Sequence, residues 1–487
     1  MKSLYTITAF LLFGLFFFIN IFTLNDGHNW GDDFAQYIQH AINLVEHKPY
    51  ASKISWDLWV VYPPGFPLLL SSMIYWFGVN FKILKCLNVL LWALSALAAY
   101  GLALKSLDLF WARMIAAWFL TSSFFFFFKQ NVLSDIPFMC FVLLAMWTFM
   151  KFEDYQQKGF KIQSQALLWL SIFCMSYALL IRWAGISLFL AVILYYFVIK
   201  RDWKASLSFI LGAVIACFIA LQYGASPIGY FDKNTVSHLR EFFGSILYNS
   251  AYALQMILTF FISSTSFAMN NNWVGLLFLG IMGLFFYRLY LRKISFMGCF
   301  TFIYLGGVIL WPIHEGPRFL LPVIIPITIY SIKCFKPAWR KLVVFIFLFL
   351  IFHNVFAIAS DFRFNDDDIF QRDSLEMLQW VDLHINPEVN YMFSHPRALG
   401  FITHRIGYSF GTHQAEMRGW YKRIKPLHIN YLIADKRFDQ FSRYNNFRLR
   451  VDNYELYINV VWENNLYKIF NVVLPVKGGL TPHSDHP

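Results

Sequence analysis

The 487-residue chain is 58% hydrophobic, 20% aromatic and only 14% charged; water-soluble domains carry about 25% charged residues, so a soluble globular protein, a disordered chain and a collagen-like repeat are excluded. Lys+Arg number 40 and Asp+Glu 28, a formal net charge of +12. With this much aliphatic and Phe content, the excess points to a membrane protein with basic inner loops, not to a nucleic-acid partner.

The chain begins with MKSLYTITAFLLFGLFFFINIF, and no small-x-small cleavage pattern follows, so a retained first helix is expected rather than a signal peptide. Spans of about 20 apolar residues cross a bilayer. By that measure spans are predicted near 4–22, 82–105, 109–128, 132–151, 165–181, 184–200, 205–224, 273–290, 295–312, 318–335 and 341–359. Stretches 64–78 and 251–268 are ambiguous, which gives 11 to 13 transmembrane helices. With the N-terminus inside and both stretches uncrossed, Lys105, Arg113, Lys151, Lys158, Lys161, Lys200, Arg201, Lys204, Arg288, Arg292, Lys293, Lys333, Lys336, Arg340 and Lys341 all fall on inner loops. That positive-inside pattern makes 64–78, led by Pro63, Pro64 and Pro67, an interfacial or re-entrant helix. It also places residues 1–359 in a transmembrane domain and 360–477 in a small extracytoplasmic α/β domain, with a flexible tail at 478–487. In the latter domain SLEMLQWVDLH has apolar residues at 375, 378, 381 and 383, read as an amphipathic helix, and VNYMF, NYLIA, ELYINVVW and YKIFNVV read as strands. The six cysteines lie in or beside apolar runs and show no disulfide framework.

Chemistry-bearing residues gather on the expected outer side. The first outer loop, 23–63, carries Asp32 and Asp33 ahead of a helical pattern whose apolar face is Phe34, Ile38, Ala41 and Val45, expected to lie in lipid. Asp is also a favoured N-cap, and acids in a first turn complement the helix dipole, so one of the pair can cap while its neighbour faces a site. A short outer turn, KQNVLSDIPFMCF, places Asp135 where a helix re-enters the membrane, with Ser134 or Asp135 in a capping position before Pro137. Lys129, Arg182 and Arg318 stand at membrane depth, where a charge is functional by default unless it snorkels to the headgroups. Acids and cations meeting at the outer interface suit sugar transfer from a lipid phosphate. The phosphate leaves without a general acid and needs only cations, while the attacking hydroxyl needs a carboxylate base. Trp30, Trp56 and Trp59 are expected in the interfacial belt. His395, His404 and His413 lack ligand spacing, whereas His28, Asp32 and Asp33 form a candidate set for Mg²⁺ or Mn²⁺.

These residues resemble the GT-C membrane glycosyltransferases, in particular the bacterial relatives of protein O-mannosyltransferases and lipid A aminoarabinose transferases. The resemblance rests on GDDFAQYIQHAINLVEHKPY, YPPGFPLLLSSMIYWFG, SDIPFMCFVLLA and GPRFLLPVIIP in that order, with PRALGFITHR in the tail similar in placement. It implies Asp33 as the base or its orienter, with Asp32 beside it, and Asp135 as a second acid shaping the acceptor site. Arg318, Arg182 and Lys129 would bind donor phosphate, and Tyr37, Tyr62, His314 and Glu315 would line the substrate pocket. The family branch generally works without a metal. Its donor would be a polyprenyl-phosphate sugar, and its acceptor a hydroxyl on a glycan, lipid or protein outside the cytoplasm of a bacterial cell. Two positions depart from the family: Phe34 follows Asp33 where an acid is usual, and Tyr62 stands where the aminoarabinose branch carries Lys. A transporter or flippase of lipid-linked saccharides is the competing reading, but repeat halves are not visible.

Overall fold

A computed structural model describes residues 14–51, 61–225, 239–262, 276, 280, 283, 295–311, 316–334, 337–362, 369–410, 424, 427–437, 439–443, 446–451 and 454–473. The chain forms two compact units, one of Met1–Asp26, Leu44–Ala51 and Val60–Asn365, the other of Gly27–Asn43, Ser52–Trp59 and Asp366–Pro487. Residues 27–43 of the first loop therefore group with the C-terminal unit.

The first unit is helical. Among the described residues six helices are long and apolar enough to cross a membrane: Phe81–Ser106, Asp135–Gln157, Lys161–Ile181, Trp183–Lys200, Gly316–Cys334 and Arg340–Ser360. Gly65–Phe77, Leu109–Leu120, Ser206–Gln222 and Phe296–Leu310 are shorter apolar helices. The expected 109–128 span is broken, because Thr121 and Ser122 separate Leu109–Leu120 from Ser123–Phe128. Residues expected as a span at 273–290 fall largely outside those described, as does the start of the one at 4–22. The ambiguous 64–78 stretch is a 13-residue helix, below the length that crosses a bilayer. Residues 251–262 of the other ambiguous stretch belong to a longer helix, Leu239–Ile262, and 263–268 lie outside the described residues.

Exposure confirms a lipid solvent. On the last span Phe345, Phe349, Phe352 and Phe356 are more than half exposed, while Val343, Phe347, Leu350, Asn354 and Ala357 turn inward at helical spacing. A water-facing stripe of that apolarity would associate or aggregate. Inward-facing Asn354 makes a polar tie instead of a methyl contact: its Oδ1 accepts from Ser123 Oγ at 2.8 Å and from Ser123 N at 3.3 Å. Close backbone approach also shapes the bundle. A Cβ on Gly65 would stand 2.6 Å from the carbonyl carbon of Leu180, and one on Gly185 would stand 2.6 Å from Cα of Leu179.

The second unit carries a six-stranded mixed sheet, β1 (Asn390–Phe393), β2 (Tyr408–Ser409), β3 (Ile429–Asp435), β4 (Asn446–Val451), β5 (Tyr454–Glu463) and β6 (Tyr467–Val473), in the order β2-β1-β3-β6-β5-β4. β1 is parallel to β2 and to β3, and the remaining pairs are antiparallel. Alternation along the strands builds the core: Met392, Leu432, Ala434, Phe470 and Val472 cluster on one face. The strands read from the sequence form; β2 and β4 are additional. The helix at Arg372–His384 forms too, but its buried residues are Ser374, Met377, Leu378 and Val381. Leu375 and Leu383, expected inward, are 45% and 70% exposed. Ser374 takes the inward place because its hydroxyl meets that of Tyr467 at 3.0 Å, which satisfies both buried groups.

Candidate active site

Two polar clusters, one in each unit, hold the predicted acids. In the helical unit the Lys161–Ile181 helix stops at Arg182, whose backbone is extended at φ −147° and ψ 138°. Tight packing at Gly185 turns the chain back. This break frees Arg182 to reach the start of the Asp135–Gln157 helix. Its Nη2 lies 2.9 Å from Asp135 Oδ1, and its Nε donates to Ser134 Oγ at 2.8 Å. Ser134 makes no side-chain cap bond, so the capping reading of this turn does not describe its hydroxyl, which serves Arg182. The Asp135 side chain is fully buried and Arg182 is 17% exposed. An isolated carboxylate there would be very costly; the guanidinium and the positive end of the helix compensate it.

Arg318 joins this cluster through Phe319. The guanidinium carbons of Arg182 and Arg318 each lie 5.7 Å from the centroid of the Phe319 ring, a cation–π distance. Phe319 is held in turn, its carbonyl accepting from Tyr304 Oη at 2.9 Å. Gly316, at φ +77°, makes the left-handed turn that leads into this segment, and its N–H donates to Tyr252 Oη at 2.7 Å.

Lys129 is placed elsewhere in the unit. It is fully buried and donates to the Asn20 carbonyl at 3.1 Å, to Asn20 Oδ1 at 2.8 Å and to Thr23 Oγ1 at 2.7 Å. An ammonium has three protons, and these acceptors use all three. Lys129 thus anchors the end of the first helix, with its charge 3.8 Å from the centre of the Phe126 ring. A second buried lysine, Lys85, donates to the Asn25 carbonyl at 2.9 Å; nothing in its apolar helical stretch singles it out by pattern. Tyr62 accepts through its carbonyl from Tyr50 Oη at 2.9 Å. His314 and Glu315 lie outside the described residues.

In the second unit Asp33 opens the Asp33–Val45 helix. Its Oδ1 accepts from Arg397 Nη1 at 3.0 Å, with the two side chains 28% and 26% exposed. Asp32 accepts from the backbone N–H of Ala398 at 3.1 Å. One Asp therefore does cap a helix, but it is the short Pro396–Thr403 helix, not the one that follows it in sequence. Burial pushes the Asp32 carboxyl up to about 7 against the opposing pull of Arg397 and the Ala398 N–H. His40, buried and near Arg397, is pushed down to about 4 and is neutral at pH 7. Tyr37 is buried on the same helix.

The apolar face of that helix does not lie in lipid. Phe34, Ile38 and Ala41 are fully buried, and Phe34 stacks on His28 at 3.9 Å and meets Phe401 edge-on at 6.3 Å. Amphipathic spacing alone cannot tell a lipid surface from a protein one. Trp30 likewise is buried rather than interfacial, set against Phe393 and Tyr467. Trp56 and Trp59 lie outside the described residues, as does His413. His28 Nδ1 donates to the Asn29 carbonyl at 2.9 Å, and among the described residues no group of three His, Cys, Asp or Glu side chains could hold a metal ion. The residue that sequence reasoning missed is Arg397. It stands 364 positions from Asp33, in a stretch quoted above with no role attached.

The helical membrane unit and the small α/β unit define the class: this is a polytopic membrane protein of the GT-C glycosyltransferase fold. Residues 3–223 match the model of the dolichyl-phosphate-mannose-protein mannosyltransferase family. The fold is shared with ArnT from Cupriavidus metallidurans bound to undecaprenyl phosphate, at 12% identity and TM-score 0.56, over 95% of this chain and 98% of that one. ArnT in the apo state aligns at 12% identity and TM-score 0.55, over 97% and 98%. The Archaeoglobus fulgidus oligosaccharyltransferase tethered with an acceptor peptide aligns at 13% identity and TM-score 0.50, over 88% of this chain and 69% of that one. No curated protein matches the chain significantly.

Proposed function

We propose that this protein transfers a monosaccharide from a polyprenyl-phosphate donor to a hydroxyl acceptor on the extracytoplasmic side of a bacterial membrane, with the N-terminus in the cytoplasm. The observation that carries the reading is the pair of guanidinium groups, Arg182 and Arg318, on either account 5.7 Å from Phe319. They would bind the donor phosphate and hold the charge that grows on it as it leaves. Asp33 would accept the proton of the acceptor hydroxyl, whose oxygen attacks the anomeric carbon as the bond to the phosphate oxygen breaks, with inversion. Asp135 fixes Arg182 through the 2.9 Å ion pair. The reading uses no metal ion, since the guanidinium groups carry the phosphate charge. Lys129 drops out of the donor-binding set because its protons are already engaged. The dolichyl-phosphate mannose in the name of the matching family and the undecaprenyl phosphate bound to ArnT support a lipid-phosphate donor.

A transfer assay tests this. Purified protein in lipid nanodiscs receives a panel of polyprenyl-phosphate monosaccharides, mannose first, and acceptor mass is read by mass spectrometry. Transfer that persists in EDTA and falls about 10³-fold in Asp33→Asn, within the range for loss of a general base, supports the reading. Wild-type turnover by Asp33→Asn would remove the proposed base.

A further inference from the structure

We infer that Arg397, in the C-terminal unit, is a positioning residue for sugar transfer: it holds the Asp33 carboxylate in its working orientation. The inference rests on the reading of Asp33 as the base.

Three observations carry it. Arg397 and its neighbour grip adjacent acids by two different means. The Arg397 side chain bonds Asp33 Oδ1 at 3.0 Å, and the Ala398 main chain bonds Asp32 Oδ1 at 3.1 Å. Successive residues of one segment thus bind successive residues of the other, which fixes both the distance and the rotation between them. The gripping segment is itself rigid. Pro396, Ala398 and Leu399 are buried, the helix follows directly on β1 and its first turn, and Phe401 packs against Phe34. Finally, the ion pair is unlike a surface pair. Both side chains are about three-quarters covered, so the guanidinium is not free to swing away, and its geometry is transmitted to the carboxylate.

The charged groups around it give the inference a second readout. Asp32, Asp33, His40 and the Tyr391 phenol face this region; Arg405 is tied to Asp382 at 2.7 Å. The Arg397 charge lowers the Asp32 carboxyl. Its removal also takes the bonded cation away from the Asp33 carboxylate, the proposed base, which moves the acid limb of a pH profile to higher pH. A role confined to holding the fold together predicts no such movement.

The experiment uses full-length protein in nanodiscs with polyprenyl-phosphate mannose and the other panel donors as probes. Arg397→Gln is expected to lower kcat about 10²-fold, the scale of a 1 Å misplacement, with donor KM little changed. Arg397→Lys should recover part of the loss, and guanidinium added to Arg397→Ala should recover more. The acid limb of Arg397→Gln should move up. A kcat within twofold of wild type, or a loss that neither lysine nor guanidinium repairs and that leaves the limb in place, overturns the inference. Asp33→Asn, run in parallel, separates the two failures. If Asp33→Asn is inactive and Arg397→Gln active, the positioning role fails alone; if Asp33→Asn is active, the base reading fails first. Melting of Asp33→Asn, Arg397→Gln and the double variant gives a check that needs no turnover: small but non-additive shifts are expected, and additive ones overturn the pairing.

Discussion

Asp135 pairs with Arg182 at 2.9 Å in the helical unit, and Asp33 pairs with Arg397 at 3.0 Å in the C-terminal unit. The bonds are alike and the surroundings are not. Asp135 is sealed at a helix start among apolar side chains, whereas Asp33 and Arg397 keep about a quarter of their surface in solvent. A sealed pair is obligatory, since either charge alone would be stranded without water. A half-open pair costs little to break but leaves a carboxylate that can exchange a proton. The first suits a fixed electrostatic frame, the second a reacting group.

Stability should separate the pairs most sharply. Arg182→Gln strands a buried carboxylate and is expected to cost about 3–5 kcal/mol. Arg397→Gln is expected to cost no more than about 1 kcal/mol. Thermal unfolding in nanodiscs reads both, and equal losses would erase the distinction. Arg318→Ala removes a cation from Phe319 but breaks no pair with Asp135. Its effect is expected on the donor, a fall of about 10²-fold in kcat/KM; unchanged donor kinetics would count against its role.

Backbone packing sharpens the same contrast at a smaller scale. Gly65 lies against Leu180 and Ile181, the last residues before Arg182, with no room for a Cβ. Gly65→Ala is expected to cost about 1–3 kcal/mol by overpacking and to disturb the Arg182 cluster while leaving Asp33 untouched. An unchanged melting temperature would mean that this close approach does not constrain the segment before Arg182.

A pH dependence is expected beside the open pair. The Asp32 carboxyl is raised from its ordinary 3.8 to about 7. The folded state therefore binds this proton more tightly than the unfolded chain. The stability that follows is fully present below about pH 4 and is lost as pH rises through about 7. Asp32→Asn cannot ionise and still offers an oxygen to the Ala398 N–H. Its melting temperature relative to wild type should climb between pH 5 and pH 8, as circular dichroism can follow. A constant difference across that range would mean the carboxyl is not raised.

Much of the membrane unit was legible because its signals are local. A run of about 20 apolar residues makes a span wherever it occurs, and the strands of the C-terminal sheet announce themselves by β-branched and aromatic content. Arg182 and Arg318 stood out as cations inside apolar text. Lys129 stood out for the same reason, yet its place is a helix anchor, because the residues that receive its protons, Asn20 and Thr23, are over a hundred positions away. The Phe34–Ile38–Ala41 stripe was equally visible and equally ambiguous, since the same spacing serves lipid or protein.

The sequence by itself determined a lipid solvent, a run of spans, an α/β segment after them and the identity of the acids and cations available. Only the tertiary structure decided partners: Arg397 for Asp33, the Ala398 N–H for Asp32, Ser134 and Asp135 for Arg182, and protein rather than lipid for the first-loop helix. Composition and period act over neighbouring residues. A charge pair is set by where the chain returns, and no local pattern encodes a return of 364 residues.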